Sequence, residues 1–83
     1  MRILQVALSG PRTQLTTSQI YSPYVVFQNN TGSAIRIGDN TTTTTKGISI
    51  AANGSLIVQR ADNRIPLFSY FASGAGSLDV LYE

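Results

Sequence analysis

Apolar and polar side chains alternate with a period of two in short runs along this chain, and turn residues interrupt the runs. In 2–8, Leu4, Val6 and Leu8 fall on one face, and Ser9, Gly10 and Pro11 read as the turn that ends the run. The strongest run is 24–28, entered through Pro23, where Val25 and Phe27 share a face. Asn29, Asn30, Thr31 and Gly32 predict a hairpin into 34–38, with Ile35 and Ile37 inward and Arg36 toward water. A second hairpin is predicted from 47–50 through Ala52, Asn53 and Gly54 into 55–59, because Asn-Gly accepts the positive φ of tight turns. A further strand is read at 65–71, with Pro66 at its start, where a missing N–H does least harm. Ser73, Gly74, Ala75 and Gly76 read as the last turn, before a final strand, 77–82, that places Leu78, Val80 and Tyr82 together.

Helix is opposed throughout by β-branched residues, above all the run from Thr41 to Thr45, and by frequent Gly and Asn. The polar stretch 39–46 is a connection, and 60–64 is a charged loop. Residues 9–22 are polar and weakly patterned, and read as an extended arm or an edge strand. Seven or eight short strands with regular punctuation predict one all-β domain over 1–83, a sandwich or small barrel.

Composition then narrows what such a domain does. With 83 residues the core is thin, and small domains lean on disulfides, a metal or association. The chain has no Cys and no His, which excludes disulfides, thiolate metal sites and Ser-His or Cys-His catalysis. The acids Asp39, Asp62, Asp79 and Glu83 are isolated from one another, and no glycine pattern forms a phosphate loop. No enzymatic activity, cofactor or metal is therefore expected, and association is the remaining route to stability. Asn29, Asn40 and Asn53 match Asn-x-Ser/Thr, as expected by chance in a chain rich in Asn and Thr. The first residues lack the apolar core of a signal peptide, and no run approaches membrane-spanning length, so synthesis and use in the cytoplasm are expected. A net charge of +2, from six scattered basic residues against four acids, makes no basic patch.

The informative residues are apolar side chains on the second face of each strand. Tyr24 and Val26 oppose Val25 and Phe27, Ile57 opposes Leu56 and Val58, and Leu81 opposes Val80 and Tyr82. Phe68 and Tyr70 oppose Leu67 and Phe71. A half-solvated sheet carries polar residues there. Strands buried on both faces would account for one such residue; the same excess in four strands points instead to an exposed apolar patch for protein–protein contact. Tyr24, Val26, Ile57, Phe68, Tyr70 and Leu81 are the candidate interface residues.

One stretch also carries a likeness. Asn30-Thr31-Gly32-Ser33-Ala34-Ile35-Arg36-Ile37-Gly38-Asp39 is followed by threonines and then Lys46-Gly47-Ile48-Ser49-Ile50-Ala51-Ala52-Asn53-Gly54-Ser55-Leu56. With the ending Val80-Leu81-Tyr82, this resembles small virion proteins of tailed bacteriophages, over about residues 24–59 and the last strand. The resemblance implies a jelly-roll-like antiparallel β-sandwich acting as a capsid cement (decoration) subunit, or as another head or tail accessory part. It further implies a homotrimer seated on the major capsid protein, with the polar segment 9–22 reaching a neighbour, and localisation in the virion. No single functional residue carries over, because such proteins work through surfaces.

A second reading is a binding module for carbohydrate or single-stranded nucleic acid on a small barrel. Tyr21, Tyr24, Phe27, Phe68, Tyr70 and Phe71 would stack on bases or sugars, and Arg36, Arg60 and Arg64 would supply charge.

Overall fold

The computed structural model describes residues 1–60 and 64–83; most of the expected loop at 60–64, including Asp62, lies outside them. The chain is nearly all β, an antiparallel sheet curled into a half-barrel of the small sandwich kind that the alternation predicts. Its strands are β1 (Arg2–Gln14), β2 (Tyr21–Ser22), β3 (Tyr24–Asn29), β4 (Ile35–Gly38), β5 (Ile48–Ile50), β6 (Ser55–Gln59), β7 (Ile65–Pro66) and β8 (Phe71–Tyr82). A single 3-10 turn, Leu67–Ser69, is the one helical element among the described residues.

β8 organises the sheet. One of its edges pairs along its length with β1, from Arg2 opposite Tyr82 to Gln14 opposite Phe71. Its other edge is shared: residues 78–82 pair with β3, and residues 71–73 pair with β4. β6 then adds to β3, and β5 adds to β4. Two halves result, joined through the β1–β8 ribbon. The first is β6, β3, the end of β8 and the start of β1; the second is β5, β4, the start of β8 and the end of β1. β2 and β7 form a separate two-stranded piece.

Four segments that read as simple turns lie instead at the seam between these halves. Ser9, Gly10 and Pro11 do not end β1; the strand runs on to Gln14 past an irregular register between Gly10 and Thr13. Ser73 to Gly76 is not a turn but the bend of β8, where Gly74 and Gly76 take φ of 146° and 119°, backbone that favours glycine. Neither predicted hairpin forms: β3 and β4 both pair with β8 rather than with each other, and β5 and β6 belong to different halves. Asn53 does adopt a positive φ of 59°, and Gly54 N–H closes the turn on Ala51 O at 2.8 Å, but the strands leaving it diverge.

The strand predicted at 65–71 is broken into β7, the 3-10 turn and the first residue of β8. Tyr70 N–H bonds back to Leu67 O at 3.2 Å, which turns the chain from the small sheet into the large one. Residues 9–14 are edge strand rather than arm, and Leu15 after them is buried.

The inward faces agree with the alternation. Val6, Leu8, Val25, Phe27, Leu78, Val80 and Tyr82 from the first half meet Ile35, Ile37, Ile50 and Ala72 from the second in one buried cluster, closed by Leu15, Ile65 and Leu67. Asn29 is buried among them, and its side chain ties the seam: its amide donates to Ser33 O, Ile50 O and Ala51 O at 2.9, 3.1 and 3.0 Å.

Candidate functional site

Because Val25, Phe27 and Asn29 point into the core, Tyr24, Val26 and Gln28 stand on the outer face of the first half. The register then fixes their neighbours. Val26 lies opposite Ile57 on one side and Leu81 on the other, and Leu81 lies opposite Ile3. Ile57, Val26, Leu81 and Ile3 therefore form an unbroken apolar row across all four strands. Its two ends are well exposed, Ile57 at 63% and Ile3 at 68%, while Val26 and Leu81 are half-buried between them.

The next row along the same face is polar: Ser55, Gln28, Asp79 and Gln5. It is held by its own hydrogen bonds. Asp79 accepts from Asn30 Nδ2 at 2.7 Å and from Gln5 Nε2 at 3.2 Å, and Gln28 Nε2 donates to Asn53 O at 3.2 Å. Gln5, Gln28 and Asp79 thus have hydrogen-bond partners at the surface, which leaves the apolar row as the part of this face with most to gain from being covered.

Of the six candidate interface residues, the structure brings Val26, Ile57 and Leu81 into this row and sets Tyr24 beside it on the same face. It separates the other two. Tyr70 is half-buried, packs on the core and stacks with Phe27 at 5.9 Å between ring centroids. Phe68 meets the exposed Tyr21 edge-to-face at 5.4 Å, beside the small sheet, with the Arg64 guanidinium 5.5 Å from the Tyr21 ring centre. The pattern does not single out Ile3, because β1 has one large apolar residue on that face, followed by Gln5 and Ala7. Only the register, which sets Ile3 against Leu81, adds it to the row.

The six aromatic residues of the binding-module reading do not share a surface. Phe27 is fully buried and Tyr70 stacks on it, Tyr21 and Phe68 pair with each other, and Phe71 sits opposite Gly38 in the second half.

The polar connection 39–47 closes the end of the second half. Asp39 Oδ1 accepts from the hydroxyl of Thr41 at 2.6 Å and from its N–H at 2.8 Å, and these donors, the hydroxyl first, hold the carboxyl below its ordinary range. Thr42 is buried and bonds Asp39 O at 2.7 Å, Arg36 Nη1 donates to Gly47 O at 3.0 Å, and Arg12 bonds Asn40 O. Each of these groups serves the loop itself. Among the described residues no three acids come together as a metal cluster would require, and no helix is long and apolar enough to cross a membrane.

No protein-family model matches the chain, and no curated protein or solved structure is detectably similar to it.

Proposed function

We propose that this protein is a structural assembly subunit whose outer sheet face packs on another protein. The observation that carries the reading is the row Ile57–Val26–Leu81–Ile3. Burying a side chain of this size is worth about 1.5–3 kcal/mol, so two largely exposed isoleucines with Val26 and Leu81 between them provide the centre of a stable contact. The flanking row Ser55–Gln28–Asp79–Gln5 supplies the polar rim that such contacts have.

The concrete form of the reading is a virion accessory subunit of a tailed bacteriophage, of the capsid cement or decoration kind. It is supported by the motif likeness in residues 30–56 and 80–82 and by the β-sandwich that the likeness implies. The partner is then the major capsid protein, and the subunit stabilises the particle by burying surface rather than by chemistry.

The test is co-sedimentation with shells assembled from the large structural protein encoded beside its gene. The native chain is expected to bind saturably, and Ile57→Asp to bind at least tenfold more weakly while keeping its fold. Equal binding by the native and Ile57→Asp chains would remove this face from the interaction.

A further inference from the structure

The other distinctive surface is the open edge of β1. No described strand pairs with it, whereas β5 and β6, the other edges of the large sheet, are three and five residues long. Long open edges invite pairing with another chain, and proteins normally blunt them with Lys, Pro, bulges or inward charges. In β1 the irregular register lies at Gly10–Thr13, so residues 3–9 form a regular stretch, and none of them is charged or a proline.

Which backbone groups face outward follows from one hydrogen bond on the far side of β8. Asn30 N–H donates to Ser77 O at 3.2 Å, so Ser77, Asp79 and Leu81 direct their backbone groups toward β3. The alternate residues Gly76, Leu78, Val80 and Tyr82 direct theirs toward β1, and are met by Leu8, Val6, Leu4 and Arg2. Ile3, Gln5, Ala7 and Ser9 therefore turn their N–H and C=O groups to the open edge. Consistent with this phase, Ser9 N–H bonds sideways to Thr13 Oγ1 at 3.4 Å instead of to β8. Ile3, Gln5 and Ala7 are left with both backbone groups directed away from the sheet.

We propose that this edge pairs with the same edge of a second copy, antiparallel, about a two-fold axis at Gln5. The three open residues are evenly spaced about Gln5, so reversal maps the set onto itself. Ile3 then lies opposite the partner's Ala7 and Gln5 opposite its own copy, and each pair exchanges two hydrogen bonds. No other antiparallel self-register uses all three residues of both strands. Side-chain faces also agree, since these residues all point to the outer face and Leu4 and Val6 meet on the inner one. The charges allow it, because Arg2 comes opposite an uncharged Leu8 and Arg12 lies beyond the paired stretch. The exposed Ile3 side chain is covered by the partner's Ala7. Two four-stranded halves become one eight-stranded surface, a two-fold arrangement and not the three-fold one implied by the motif likeness.

This association shares Ile3 with the apolar row, but the two are tested apart, because Ile57→Asp acts on the edge strand at the opposite side of the half-sheet and Gln5→Pro on the open edge of β1. The experiment is light scattering on the full chain with cysteine crosslinking. The native chain is expected at twice its 8.9 kDa mass, dissociating on dilution. Gln5→Pro removes the central N–H without touching a backbone bond to β8, at the loss of the exposed Gln5 Nε2–Asp79 bond, and is expected to give a folded monomer. Gln5→Cys, in a chain with no native cysteine, is expected to form a disulfide dimer, since paired Cα atoms stand about 5.5 Å apart. Ile3→Cys alone is expected not to crosslink, because the two copies lie four residues apart along the strand, about 13 Å. If Gln5→Pro does not fold, the crosslinking pair decides. A native chain that stays at 8.9 kDa at its highest soluble concentration overturns the proposal, as does Ile3→Cys crosslinking as fast as Gln5→Cys.

Discussion

The side-chain oxygen of Asn29 accepts both the N–H and the hydroxyl of Thr31, at 2.8 and 2.7 Å, in a site closed to solvent. With its amide on Ser33, Ile50 and Ala51 carbonyls, this one residue fastens both crossings between the halves of the sheet. Replacing it leaves several buried groups without partners, at about 1–3 kcal/mol each where no water enters. Asn29→Ala is expected to lower stability by about 3 kcal/mol in urea denaturation, and Asn29→Asp by at least as much, because an ionised carboxylate cannot donate to the three carbonyls. A loss below about 0.5 kcal/mol for Asn29→Ala would show that the seam is held by other groups.

Gly74 lies under Ile35 at the bend of β8. A Cβ there would stand 2.7 Å from Ile35 Cγ2, on a backbone with φ of 146°. Ile35 is buried and has no room to move. Gly74→Ala is expected to cost about 2 kcal/mol or more. Gly32→Ala is the matched control: nothing lies within 4 Å of its added methyl, and a change within about 0.5 kcal/mol is expected. Equal melting temperatures for the two variants would contradict the account of the bend.

Ser73 is buried at the same bend, and its hydroxyl has no hydrogen-bond partner among the described residues. Burying such a group costs free energy that alanine does not incur. Ser73→Ala is expected to raise stability by about 1 kcal/mol, read as a higher denaturation midpoint at unchanged slope.

The Asp39 carboxyl titrates below its ordinary value of 3.8 because the Thr41 hydroxyl and N–H bond its charged form. A lowered folded value means that the contribution to stability is present above 3.8 and is lost as pH falls through the lower folded value. Thr41→Val removes the larger cause and is expected to move the Asp39 titration, followed by carboxyl NMR, back up toward 3.8. An unmoved titration would assign the effect to the backbone N–H or to Lys46.

Much of the fold is legible in the residue pattern, and the part that is not has a physical reason. Alternation assigns Val25, Phe27, Leu78, Val80 and Tyr82 to the core because side-chain period and burial share one cause. Connections are different. Asn29–Gly32 and Ala52–Gly54 carry residues that suit tight turns, yet a chain crossing between two halves needs the same polar, positive-φ chemistry. Local sequence does not distinguish the two, and the pairing that decides between them is made by β8, far along the chain. The candidate surface divides in the same way. Val26, Ile57 and Leu81 stand out as apolar residues on a second face, but Ile3 joins them only through register. Phe68 and Tyr70 are misplaced by a strand reading of 65–71 that the turn at Leu67 breaks.

The central position of β8 has a consequence for how the protein is made. Every other strand of the large sheet precedes it, and β1, β3 and β4 each wait on it for their inner edge. Closing Arg2 onto Tyr82 spans nearly the whole chain, a costly loop that places folding among the slow, non-local cases, on the order of milliseconds to seconds. A nascent chain on the ribosome therefore holds three unfinished edges at once, with their hydrophobic faces open, until residues 71–82 emerge. Formation of the large sheet is then a single late event, and a chain stalled at Tyr70 should show no amide protection against hydrogen exchange.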